Sequence, residues 1–384
     1  MSIRGKSAIV GIGETEFTKD SGKTIYELAS EASVKAIRDA QLSPSDIDGI
    51  ITLSPLSTAA RLNNTLANYL GIKPTYSDEV SVYGASGGYA IKQAAESVAS
   101  GAANNVLVVG ADLNFLKHFS TEPHDLSNNF NLYYGGGATT NYAMVTNLYE
   151  HLYGDTQLQR AKIAVQQRYN ANHNDNALFG NKELTIEGVL NSPVISTPLH
   201  LFEIVSPCDG AVAFVVCRSE DAKSITNTPV YIDGAGFYST HHLLSDADLL
   251  KNGVVTPIKK ASSIAFQMAG VSTDHIDICG FYDCYTIAVL LTIEDMGFCQ
   301  KGESARFIEE HDLTFKGDFP VNTSGGQLSV GQPGDSGGMV NVVEVVRQLM
   351  GKAGERQVQD LEFGVTNTNG GLFSNECTLV LRRG

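Results

Sequence analysis

Positive charge is scarce in this sequence: 27 Lys and Arg stand against 42 Asp and Glu over 384 residues, a formal net charge of −15. No block of basic residues offsets the deficit, so a broad phosphate-binding face is excluded and nucleic acid is not an expected partner. The six cysteines contain no C-x-x-C pair. Several sit in apolar runs such as "AVAFVVCRS" and "HIDICGFYDCYT", where a reduced thiol behaves as a small buried hydrophobe. His124 and His173 are too isolated to serve as metal ligands, and no metal site is expected. No apolar run approaches the roughly 18 residues of a membrane span, and "MSIRGKSAIVGIG" lacks a secretory apolar core, which makes the expected compartment cytoplasmic. "GIGETEF" has neither the G-x-G-x-x-G spacing nor a Walker lysine, so no nucleotide or nicotinamide loop is read there.

What is present is a duplicated pattern. "EASVKAIRDAQLSPSDIDGI" (31–50) aligns without gaps on "KASSIAFQMAGVSTDHIDIC" (260–279), matching at Ala32/Ala261, Ala36/Ala265, Ser43/Ser272 and Asp48/Asp277 among others. Each copy reads as helix, turn, strand. "SGGYAIKQAAESVASG" (86–101) likewise matches "SGGMVNVVEVVRQLMG" (336–351), both opening on Ser-Gly-Gly and closing on a glycine suited to end a helix. The two pairs occur in the same order in each half, so one larger unit is repeated. Helices beginning near Ser86 and Ser336 are expected side by side at the centre.

The runs "SAIVGIG", "GIITL", "NVLVVGAD", "GAVAFVVC", "PVYIDGAG", "IDICGFYD" and "CTLVLRR" have strand length and β-branched content, with helical periodicity between several of them. Alternation of this kind implies mixed or parallel sheets covered by helices. Residues 113–205 break the rhythm with polar and glycine-rich stretches, and read either as a substrate cover or as a plain surface excursion. The expected organisation is a first half of residues 1–115 with 206–229, an insertion of 116–205, and a second half of 230–384.

In order along the chain, "IVGIGETEF", "LSPSDIDGI", "NVLVVGAD", "PCDGAVAFVV", "YDCYTIAVLLTIEDMGFCQKGE" and "FPVNTSGGQLSVGQPGDSGG" resemble the thiolase superfamily, in its lipid-transfer and sterol-carrier branch. The resemblance spans nearly the whole chain. It implies a duplicated, five-layered α/β fold (αβαβα) with an inserted loop domain, in agreement with the repeats.

The same resemblance marks what is missing. The family's acyl-accepting cysteine lies in a C-x-S-G loop, and the matching position in "YGASGG" is Gly84. Its Gly-His-Pro histidine is replaced by Gln332, the Cys or His before the C-terminal glycine pair by Asn367, and the Asn or His of the next motif by Tyr282. Ordinary thioester transfer through cysteine is therefore not expected. The steroid side-chain-cleaving aldolases of this superfamily also lack that cysteine, and this chain is similar to them in its "VYG" loop and "YD" motif. The resemblance implies a retro-aldol lyase acting on a β-hydroxyacyl-CoA, with no covalent acyl carrier.

Catalytic candidates are Tyr282, Asp283, Gln332 and Asn367; substrate-binding candidates are Tyr83, Gly84, Ser86, Asn322, Gly325, Gly326, Gly370 and Gly371. Gly84 would leave room for a bulky carbon skeleton beside the reacting bond. Several of these residues also have structural readings: a buried, hydrogen-bonded phenol for Tyr282, a helix cap for Ser86 and Asp283. Asp335 either faces a cavity or caps the following helix. The resemblance further implies a homodimer through residues 77–83, coenzyme A only as part of the substrate with no tightly bound cofactor, and a small zinc-containing OB-fold acyl-CoA-binding partner in a heterotetramer. An acyl-transferring enzyme and a non-catalytic CoA-ester-binding subunit remain as alternatives.

Overall fold

The computed structural model describes residues 3–58, 61–114, 137–241, 243–245 and 248–384. The first repeat runs β1 (Ser7–Glu14), α1 (Ile25–Asp39), β2 (Gly49–Leu53), α2 (Leu62–Leu70), β3 (Tyr76–Val80), α3 (Ser86–Ser100) and β4 (Asn105–Asp112). An excursion follows, with α4 (Ala138–Tyr153), α5 (Gln157–Ala171), α6 (Ile186–Leu190) and the hairpin β5 (Val194–Ser196) and β6 (Leu199–His200). The chain then returns through β7 (Gly210–Arg218) and α7 (Ser219–Ile225). The second repeat holds β8 (Val230–Ser239), α8 (Ile258–Ala269), β9 (Ile278–Phe281), α9 (Thr286–Met296), α10 (Ser304–Glu310), α11 (Gly326–Val330), α12 (Gly338–Leu349), β10 (Phe363–Gly370) and β11 (Asn375–Arg383).

The strand order β3-β2-β4-β7-β1-β8-β11-β10-β9 is symmetric about the β1–β8 junction. Outward from it, each half has its first strand, its last strand antiparallel to that, and then parallel partners. A parallel bridge between Cys279 and Val321 stands where the first half has β3. The aligned segments adopt the same structure, α1 and α8 each passing through a short 3-10 turn (Pro44–Asp46, Thr273–His275) into β2 and β9.

Small residues explain why those segments match. On β1, a Cβ at Gly13 would strike the Ala32 carbonyl of α1 and one at Gly11 the Ala36 carbonyl; on β8, Gly236 and Gly234 stand against Ala261 and Ala265 of α8 in the same way. Glycine on the strand opposite alanine on the helix lets the outer helix seat directly on the sheet. Inside, α3 and α12 pack against one another, where Gly87 admits Met339 Cγ at 2.7 Å from the place a Cβ would take. The layers are thus α1, the first half-sheet, the α3–α12 pair, the second half-sheet and α8, which is the duplicated thiolase arrangement.

Two elements depart from the sequence reading. β10 was absent from the expected strands because "FGVTNTNG" is polar, yet it is buried almost throughout. Its Asn367 donates to Glu376 Oε2 at 2.8 Å and accepts from Thr378 Oγ1 at 2.8 Å, so cross-strand bonds replace apolar burial. The described part of the insertion is largely helical, and Tyr142, Val145 and Tyr149 of α4 share one core with Phe281, Leu290 and Phe373 of the second half. Position 124 lies outside the described residues. Five cysteines are buried and Cys299 is half-buried, and none is bridged.

Candidate active site

The loop between β3 and α3 sets one wall of the site. Tyr83 takes a left-handed backbone (φ 54°), and Ser86 N donates to Tyr83 O at 2.9 Å while Val82 N donates to Ser86 Oγ at 2.9 Å. This tight turn presents Gly84 at the head of α3. Opposite it, Tyr282 follows β9, with its backbone N–H on Asn367 O at 3.0 Å.

The two meet closely. A Cβ on Gly84 would lie 2.5 Å from Tyr282 Cζ and 2.5 Å from the Asn369 carbonyl oxygen, and closer still to the phenol oxygen. The absent side chain at 84 therefore makes room for the protein's own phenol, not for the carbon skeleton of a substrate as the sequence reading had it. Gln332 completes the contact: its backbone is bridged to residues 206–208, and its Nε2 donates to Tyr282 Oη at 3.0 Å. With that lone pair engaged, the phenol keeps its own O–H to donate.

A cavity of about 760 Å³ opens over this junction. Tyr83, Gly84, Tyr282, Gln332, Gly370 and Gly371, all anticipated from sequence, line it. Tyr83 is 60% exposed at its rim, whereas Tyr282 is 6% exposed at its base. The other anticipated residues lie behind the wall. Asp283 accepts from the Gln327 and Leu328 N–H groups at 2.9 and 3.1 Å and from Asn341 Nδ2 at 2.8 Å, so it caps α11. Asn322 clamps Phe281 N and O; Gly325 rests on Ala171, and Gly326 on the Asp283 carboxylate. Asn367 is spent within the sheet, and Ser86 within its turn.

The cavity also holds groups the motifs did not nominate. Asn369, immediately before Gly370-Gly371, donates from Nδ2 to Tyr142 Oη at 2.9 Å and takes the chain position assigned from sequence to Asn367. Tyr142 stacks on Tyr285 at 4.2 Å between ring centroids, and Tyr285 Oη bonds Thr139 Oγ1 at 2.8 Å. Asp335 lines the cavity and forms no cap to α12.

Burial pushes the Tyr282 phenol well above its ordinary range, reinforced by Cys284 and Asp335 and only partly opposed by Gln332. It is a neutral hydrogen-bond donor at neutral pH. Burial also raises the Cys284 thiol, so the one cysteine lining the cavity stays protonated. Asp283 is raised to about 6 by burial, with its hydrogen bonds to Asn341 and the α11 backbone opposing. Among the described residues no group of His, Cys, Asp and Glu is arranged to hold a metal, and no helix is long and apolar enough to cross a membrane.

A family profile described as "Thiolase, N-terminal domain" matches residues 7–177, and one described as "Thiolase C-terminal domain-like" matches residues 236–383. The chain belongs to the thiolase superfamily. It is 31% identical over 383 residues to an acetyl-CoA acetyltransferase of Methanothermobacter thermautotrophicus, covering 98% of this chain and 99% of the relative. To the 17-hydroxy-3-oxo-4-pregnene-20-carboxyl-CoA lyase of Mycobacterium tuberculosis it is 32% identical over 368 residues, 91% of this chain and 92% of that one. Among solved structures, the Ltp2-ChsH2(DUF35) aldolase superposes with a TM-score of 0.89 at 30% identity, covering 99% of this chain and 98% of that one. The chain's relatives of 30% identity or more thus include both acetyl-CoA acetyltransferases and steroid side-chain-cleaving lyases. The side-chain space at Gly84 is filled by the Tyr282 phenol.

Proposed function

We propose that this thiolase homologue is a carbon–carbon lyase that cleaves a β-hydroxyacyl-CoA by retro-aldol reaction, giving a ketone and a shorter acyl-CoA, with a steroid side chain as the substrate class. The observation that carries the reading is that the Tyr282 phenol fills the space a side chain at Gly84 would need, on a cavity where no cysteine stands at that position. A retro-aldol reaction needs a proton donor and polar support for the developing thioester enolate, but no covalent carrier. Tyr282, fixed by Gln332 and opening on a cavity with Asn369 and Asp335, supplies the donor. Coenzyme A enters as part of the substrate, and the chemistry calls for no tightly bound cofactor.

The acetyltransferase relative favours acyl transfer as a second reading. Against it, position 84 has neither a thiol nor room for one, and the Cys284 thiol is held protonated. A purely scaffolding role accords less well with a phenol that faces a cavity lined by polar groups.

We further propose that the protein acts in the cytoplasm as a homodimer through residues 77–83, joined in a heterotetramer by a small zinc-containing OB-fold partner. β3 is the outer strand of its half-sheet, with β2 its one partner among the described residues, and the aldolase of the solved neighbour is named together with a DUF35 component. Incubation with β-hydroxyacyl-CoA esters of steroid side chains, alone and with such a partner, with mass detection of ketone and short acyl-CoA, tests the reading. Production of acetyl-CoA from acetoacetyl-CoA and CoA, with no ketone from any β-hydroxy ester, would favour acyl transfer instead.

A further inference from the structure

Retro-aldol cleavage requires two proton transfers: one off the β-hydroxyl oxygen as the Cα–Cβ bond breaks, one onto the α-carbon of the resulting enolate. A phenol as buried as Tyr282 serves the second and not the first, because its oxygen already carries a proton. The first needs an acceptor that opens on the same cavity.

Asp335 meets that requirement. It sits in the 3-10 turn Gly334–Gly337, between Gln332 and α12, and lines the cavity with Tyr282. Among the described residues its carboxylate receives no hydrogen bond and forms no ion pair, whereas Asp283 is sealed and saturated by the α11 N–H groups. A carboxylate without donors in a protein wall is costly unless something arrives to bond it. Behind the turn, Gly334 presses on the Asp112 carboxylate, which is itself held by the N–H groups of Leu56, Ser57 and Leu113 at 2.7 to 3.0 Å and by Ser57 Oγ. Among the described residues the titratable groups around Asp335 are Asp112 from the end of β4 and, lining the same cavity, Tyr282, Cys284 and Tyr285 from the segment after β9, Tyr142 of α4 and Tyr83.

Building on the lyase reading, we propose that the Asp335 carboxylate is the base that takes the β-hydroxyl proton, while Tyr282 delivers a proton to the α-carbon. The O–H electrons form the ketone C=O, the Cα–Cβ pair moves into the thioester enolate, and the enolate carbon takes the Tyr282 proton. Transfer from the Asp335 carboxylic acid to the Tyr282 phenolate, directly or through a water, restores both groups, so no proton is gained or lost over a turnover. Burial, reinforced by Asp112, raises Asp335 to about 7, which suits a base that must release its proton each cycle.

The test compares the wild type and Asp335→Asn on a panel of β-hydroxyacyl-CoA esters between about pH 5.5 and 9, with circular dichroism to confirm folding. The wild-type kcat/KM is expected to fall as pH drops below about 7. Asp335→Asn should turn over about 100- to 10,000-fold more slowly, with no such acidic limb in its residual rate. A variant at wild-type rate, or one keeping the same limb, overturns the role of Asp335 while the lyase reading stands. A wild-type profile flat across this range refutes it too, even if the variant misfolds. A wild type that cleaves no ester at any pH, alone or with the zinc-containing OB-fold partner, overturns both readings.

Discussion

Replacing Gly84 by alanine asks whether Tyr282 occupies the space a side chain at this position would take. The new methyl would stand 2.5 Å from Tyr282 Cζ and 2.5 Å from the Asn369 carbonyl oxygen, whereas carbon contacts settle at about 3.5 to 4.0 Å. Something must move by about 1 Å. The Asn369 carbonyl belongs to main chain paired with Glu376 of β11, so the yielding group is the phenol, a side chain packed and held by Gln332. Overpacking of this kind costs about 1 to 3 kcal/mol. For a chain of 384 residues, with an unfolding entropy of about 2.1 cal/mol/K per residue, that is a fall in Tm of about 1 to 4 °C. A displacement of about 1 Å at a catalytic group costs about 100-fold in rate.

Melting curves of Gly84→Ala, Tyr282→Ala and the double variant give the coupling between the two sites, expected at about 1 to 3 kcal/mol because the alanine at 84 costs little once the ring is gone. Gly84→Cys should suffer the same collision and show no acetoacetyl-CoA thiolysis, since Gln332 cannot accept the thiol proton. A Gly84→Ala protein that melts within 1 °C of the wild type and cleaves substrate at full rate would refute the reasoning.

Three further outcomes are expected. Tyr282→Phe keeps the ring and loses the donor, so lyase turnover should drop about 100- to 10,000-fold while the melting temperature stays near that of the wild type; undiminished turnover would remove Tyr282 from the chemistry. Burial raises Asp283 to about 6 and Asp335 to about 7 from 3.8, so between about pH 4 and 7 the folded protein binds more protons than the unfolded chain and stability falls as pH rises. Asp335→Asn should accordingly gain stability relative to the wild type at pH 8 and not at pH 4.5, by at most about 4 kcal/mol and less where the cavity admits water, read as a rise in Tm at the higher pH alone; equal differences at both pH values would contradict the shift. Light scattering should give a dimer at micromolar concentration, and a charged Ser81→Glu, at a position exposed on the protomer just past β3, should dissociate it if residues 77–83 form the interface; a monomeric wild type would remove that interface.

The repeat and most strands were legible because they rest on local pattern: "GIITL" and "NVLVVGAD" coincide with β2 and β4. β10 was not, since its burial depends on partners across the sheet such as Glu376 and Thr378. The same limit divided the site. Asn367 and Asn369 share one face of β10, but only the residue nearer the strand's end reaches the cavity, a matter of depth that spacing does not encode. Asp335 precedes a helix and resembles a cap in sequence, yet the turn at Gly334–Gly337 swings it into the opening. The overlap of Gly84 with Tyr282 required both halves to be assembled.

That overlap constrains descent as well as chemistry. A side chain at 84 and the phenol at 282 compete for one volume and come from opposite repeats, so a substitution in either half of the gene is felt by the other. Aligned relatives should therefore show cysteine at 84 or tyrosine at 282, sometimes neither, and not both.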